Sequence, residues 1–158
     1  MKHYLIAFLV IDFLVFGLVM LLVLRSYQVQ NKVEQKEFLS GTVPTALPEG
    51  FYKGSVGAIK VSWAGKKFDA TNSAGINVFN DNGKTSEAYR FAMYIAKGLQ
   101  EKDKNVLRID YSQNERPLWL RFFVDEIVEV APGKFLGKIH LHVINGFPLT
   151  LGLFRLEK

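Results

Sequence analysis

The chain has 158 residues, with 20 Lys and Arg against 15 Asp and Glu, a formal net charge of +5 and no cysteine. That length fits one domain, and the lack of cysteine excludes disulfides, thiolate metal sites, thiol nucleophiles and cysteine-linked lipid anchors. The positive excess is scattered, with no run of five like charges, so no nucleic-acid partner is expected.

The first element is MKHYLIAFLVIDFLVFGLVMLLVLRSYQ. Tyr4 to Leu24 is an apolar run of 21 residues broken by one charge, Asp12. At about 1.5 Å per residue, a helix of that length crosses the ~30 Å hydrocarbon core of a bilayer. The run is longer than the apolar region of a cleaved signal peptide, and LRSYQVQ offers no small-residue cleavage site. The sequence therefore predicts an uncleaved single-pass anchor over residues 1–25, in the cell (inner) membrane. Lys and Arg counts at the two flanks favour a cytoplasmic domain. The very short N-terminal tail favours the reverse, and a periplasmic domain is the preferred expectation.

An acid near the centre of such a helix costs about 2.5–3.5 kcal/mol on insertion scales and usually meets a protein partner. Asp12 shares a helical stripe with Phe8 and Phe16, and Gly17 beside it permits close approach. This stripe is the expected contact for another membrane helix.

Residues 26–46 read as a polar linker or helix extension, closed by Pro44 and Pro48 between Gly41 and Gly50. Residues 47–158 read as one antiparallel β domain. Strands are expected near 51–55, 57–64, 66–70, 75–80, 87–95, 106–111, 118–130, 134–144 and 148–157. Turn residues fall between them: Ala64-Gly65, Asn80 to Gly83, Ser112 to Asn114, Ala131 to Gly133 and Asn145-Gly146. Residues 87–98 also suit a helix, but Tyr89, Phe91, Met93 and Ile95 alternate, which favours strand. Many short strands at regular spacing point to a barrel or sandwich, and closure would remove exposed edges.

The alternation also assigns faces. In LWLRFFVDEIVEV, Glu126 falls with Leu120, Phe122, Val124 and Val128, which read as the inner, apolar face. In KFLGKIHLHVI, Phe135 and Ile139 point one way, while Lys138, His140 and His142 point to a wet face.

Three stretches carry a resemblance. WAGKKF supplies Trp63, Gly65, Lys66 and Phe68, DEIV supplies Asp125 and Glu126, and PGKFLGK runs from Pro132 to Lys138. With the closing LGLFRLEK, they make the last 110 or so residues similar to a family of small bacterial calycin-like barrel proteins whose activity is not established. The resemblance implies a lipocalin-like barrel, and ligand binding follows from it only by analogy of fold. The family's members are soluble, whereas this chain begins with an apolar helix.

Candidate sites follow from these patterns. Trp63, Phe91, Phe122, Glu126 and Phe135 are the expected lining of a ligand site in the barrel interior. His140 and His142, two residues apart on a strand, are weak candidates for a shared metal, and no metal site or cofactor is assigned. Phosphate loops, dinucleotide fingerprints and nucleophile elbows are all missing from the sequence. The reading is mainly β: a small antiparallel calycin-like barrel behind one transmembrane helix. The expected function is that of a non-catalytic accessory subunit docked on a larger integral membrane complex, respiratory or photosynthetic. The alternative is a membrane-tethered carrier of a lipid or other small apolar ligand, and an enzyme comes third.

Overall fold

The computed structural model describes residues 2–57, 61–114, 117–144 and 146–158. Two helices, α1 (Lys2–Gln30) and α2 (Val33–Ser40), precede eight strands. The strands are β1 (Gly50–Ser55), β2 (Trp63–Asp69), β3 (Ala74–Asp81), β4 (Lys84–Lys97), β5 (Asn105–Asp110), β6 (Phe123–Ala131), β7 (Lys134–Ile144) and β8 (Phe147–Glu157). Each pairs antiparallel with its neighbours in chain order, and β1 pairs with β8, so the sheet closes into a barrel with no free edge.

The sequence expectation of a mainly β barrel behind an apolar helix holds, with eight strands among the described residues against nine expected. The expected pair 57–64 and 66–70 is a single strand, Trp63–Asp69, with a bulge between Trp63 and Gly65. Residues 58–60 and Asn145 lie outside the described residues. Residues 84–97 are strand, as the alternation favours. Leu118–Phe122, expected to open β6, forms a 3-10 helix instead. Pro117 precedes it in extended conformation, and the Leu120 amide bonds back to the Pro117 carbonyl.

An up-and-down barrel alternates its connections between two ends. β1–β2, β3–β4, β5–β6 and β7–β8 join at one end, called the mouth. β2–β3, β4–β5 and β6–β7 join at the other, the base. Inside sit Tyr52, Phe68, Phe91, Leu107, Ile109, Tyr111, Ile127, Phe135, Phe154 and Leu156, all buried. The rings meet edge to face, as in Tyr52–Phe68 and Phe68–Phe91. Space for so many aromatics comes from glycines on facing strands. Gly137 pairs with Phe154, and a Cβ there would lie 2.2 Å from the ring. Gly65 has φ +144°, and a Cβ would lie 2.0 Å from the Tyr52 carbonyl oxygen, so the bulge needs glycine.

The outer wall of β6–β8 is covered as well. Phe38 of α2 packs on Val106, Val128 and Leu136. Thr42 and Glu129 exchange backbone hydrogen bonds at 2.9 and 2.7 Å. The last turns of α1 lie along β8: Ser26 and Val29 are buried, the Ser26 hydroxyl accepts from the Thr150 amide at 2.9 Å, and Arg25 donates to the Leu151 carbonyl at 2.9 Å. Farther along, Arg155 of β8 pairs with Glu37 of α2 at 2.5 Å. The chain thus runs from Thr150, near the mouth, toward the base. The rest of α1 accordingly extends past the mouth, and Ile6–Gln30 is long and apolar enough to cross a membrane.

Candidate functional site

A cavity of about 310 Å³ lies inside the mouth, lined by Val56, Trp63, Phe79, Tyr89, Leu120, Phe123, Ile139 and Phe154 around a polar floor. The floor is built by one residue from each of four strand regions: Lys66, Asn77, Tyr111 and Asp125. Lys66 is one position from Lys67 and two from Phe68, so alternation turns it inward with that ring while Lys67 faces water. Asp125 comes inward with Phe123 and Ile127 by the same rule.

The floor is a closed set of hydrogen bonds. Lys66 Nζ donates to Asp125 Oδ2 at 2.9 Å, to Asn77 Oδ1 at 2.9 Å and to Tyr111 Oη at 2.5 Å, which uses all three of its protons. Tyr111 Oη donates to Asp125 Oδ2 at 2.9 Å, and Trp63 Nε1 donates to Asn77 Oδ1 at 3.0 Å. Asn77 Nδ2 donates to the Tyr89 carbonyl at 3.1 Å. That carbonyl is presented by a bulge between Ile76 and Asn77, opposite which Tyr89 takes φ +60°. Lys66 also stands over the rings of Phe91, Tyr111, Phe154 and Trp63 at 5.0–5.6 Å. Burial pushes the Lys66 ammonium below its ordinary range, and the Asp125 carboxylate pulls it back. Burial, reinforced by Asp125, pushes the Tyr111 phenol well above its ordinary range, so it stays a donor.

With its protons committed, Lys66 is not a free amine nucleophile. The floor works as a fixed polar patch beneath apolar walls. Among the described residues no hydrogen bond engages Asp125 Oδ1, so the patch offers an acceptor to a ligand hydroxyl or amine.

A second buried polar group lies outside the barrel, under the helices. Glu126 is fully buried; its Oε1 accepts from the Leu99 amide at 2.7 Å and meets Arg108 at 3.3 Å, while its Oε2 faces His140 Nε2 at 3.2 Å. Burial alone would raise the Glu126 pKa, but His140, the Leu99 amide and Arg108 together hold it below the ordinary range. The Thr150 hydroxyl donates to Gln100 Oε1 at 2.7 Å, so His140 Nδ1, 3.1 Å away, must be the donor to Thr150. Lys138 pairs with Glu101 at 2.5 Å and stands 4.4 Å from the Phe38 ring centre. These groups tie the 98–104 loop and α1 to the wall.

The expected lining residues therefore separate. Trp63 lines the cavity, while Phe91 and Phe135 are in the packed interior below it. Phe122 is exposed on the 3-10 helix, and Glu126 faces outward. The inner face of β6 is the one with Asp125, contrary to the sequence assignment. His140 is buried against Glu126 and not on a wet face, and His142 is half-buried. Among the described residues no three His, Asp or Glu side chains converge as metal ligands. Asp12, Phe8 and Phe16 all lie exposed on α1.

Lys66, Asn77 and Tyr111 were missed as a set by sequence reasoning. The one available signal was a lysine on the apolar side of an alternating strand. Comparison of the chain with protein-family models, curated proteins and solved structures gives no match.

Proposed function

We propose that this protein is a membrane-tethered, non-catalytic binding protein for a small, mainly apolar molecule carrying one hydroxyl or amine group. One observation carries the reading: the cavity opens at the same end of the barrel past which α1 extends. A spanning α1 then holds the mouth toward the bilayer, where apolar molecules are concentrated. Retention of α1 is supported by Arg25, Ser26 and Val29, which are built into the barrel wall. The calycin-like resemblance fits this reading, as does a bacterial inner-membrane location with the barrel on the periplasmic side. About 310 Å³ is at the small end of ligand sites, which favours a short or slender ligand.

The test is extraction of the full chain in mild detergent, followed by organic extraction and mass spectrometry of what it holds. A defined small molecule, lost in Leu120→Trp, supports the reading. An empty wild-type barrel, with no apolar dye able to change Trp63 emission, overturns it.

A second reading, accessory subunit of a larger membrane complex, is favoured by Asp12, an exposed acid between Phe8 and Phe16 in the span. Its partner would be a helix offering a cation or hydrogen-bond donor. Co-purification of a defined complex that Asp12→Leu abolishes would establish it.

A further inference from the structure

We propose that the rim of the barrel mouth is itself a membrane-docking surface, seated in the interface of the bilayer that α1 crosses. This rests on the reading of α1 as a membrane span. Leu118, Trp119 and Phe122 on the 3-10 helix, Val61 before β2, and Val143 and Phe147 beside the β7–β8 turn are 45–65% exposed. Topology puts all six at one end, because the β1–β2, β5–β6 and β7–β8 connections are all mouth connections. Soluble surfaces seldom gather so many large apolar side chains on one face.

The occupant follows from continuity with α1. Ser26 is fixed at Thr150, and Leu24, the last residue of the apolar run, is two positions up the helix, roughly 3 Å away along its axis. The β7–β8 turn at Gly146 is four positions from Thr150, up to about 13 Å along the strand. The turn thus reaches as much as about 10 Å past the level of Leu24, the depth to which interfacial apolar faces insert. Tyr27, 68% exposed, and Tyr4, 83% exposed, mark the two ends of the span, and Trp119 adds a third amphipathic ring on the mouth rim. The mouth therefore opens inside the interface, and a ligand passes between bilayer and cavity without crossing water.

The chain's two tryptophans allow a direct test. Trp119 is on the rim and Trp63 is in the cavity. Full-length Trp63→Phe, whose only tryptophan is Trp119, is reconstituted in phosphatidylcholine vesicles with and without bromine on the acyl chains. The docked rim predicts blue-shifted Trp119 emission that loses most of its intensity with brominated lipid. A Trp63→Phe/Trp119→Phe/Phe147→Trp chain gives a second reporter on a different connection of the mouth, the β7–β8 turn, and should respond alike. Unshifted, unquenched emission from both reporters, with α1 inserted, overturns the docking. Trp119→Phe keeps Trp63 alone, and quenching there reports a lipid chain entering the cavity. That response tests the binding reading and leaves the docking result independent of it.

Discussion

Lys66 and Asp125, on opposite sides of the barrel, meet at 2.9 Å beneath the cavity, and both are nearly inaccessible to solvent. A buried pair holds only while both members are present, because a lone buried charge retains its desolvation cost. Lys66→Met should lose about 3–5 kcal/mol of stability. Adding Asp125→Leu should recover much of that loss. Urea midpoints of the wild type, single and double variants check both statements. A double variant no better than the single would show that Asn77 and Tyr111 alone hold the floor.

The interior also depends on ring-over-glycine packing. A Cβ on Gly137 would fall 2.2–2.5 Å from three atoms of the Phe154 ring. That ring is pinned edge-on by Trp63 at 5.5 Å between centroids and cannot swing away freely. Gly137→Ala should cost about 1–3 kcal/mol, the range for overpacking. Thermal denaturation decides it, and an unchanged Tm would mean that the ring has room to yield.

Glu126 should make the fold acid-sensitive. Its folded pKa is held below the ordinary 4.5. Below that value the unfolded chain takes up a proton that the folded chain refuses. The stabilisation is therefore present above about pH 4.5 and is lost as the pH falls through the folded value. Stability measured against pH should decline less steeply on acidification in Glu126→Gln than in the wild type, although the variant starts lower. Parallel curves would show that other carboxylates set the acid limit.

Enlarging Ile139 should close the cavity without breaking the barrel. Ile139 is half-buried, lines the cavity, and has open space before it. Ile139→Phe should abolish the response of Trp63 to an apolar dye while leaving the melting temperature within a few degrees of wild type. Undiminished dye binding would place the ligand elsewhere on the molecule.

The barrel was legible because its strands alternate and its turns carry Asn82-Gly83 and Pro132-Gly133. Inside and outside were not. Glu126 does share a face with Val124 and Val128, as alternation requires, but that face is covered by Phe38 and the 98–104 loop. A strand buried on both sides gives no hydropathy clue to which side is the interior. Leu118–Phe122 looked like strand because it continues the apolar run, yet Leu118, Trp119 and Phe122 face out of the mouth while Leu120 turns into the cavity. The polar floor draws on β2, β3, β6 and the end of β5, so only closure of the sheet brings its members together.

The union of α1 with β8 has a mechanical meaning. Arg25 and Ser26 bond to the strand, Val29 is buried, and α2 continues the contact to Arg155. A flexible leash would let a domain sweep a hemisphere and reach another membrane. A helix built into the barrel wall removes that freedom and fixes both tilt and azimuth. On the binding reading proposed above, and with α1 inserted, the protein would act as a stationary dock rather than a ferry. On that reading, whatever exchanges a ligand with it would have to arrive by lateral diffusion in the same membrane, or carry a surface shaped to this one presented pose.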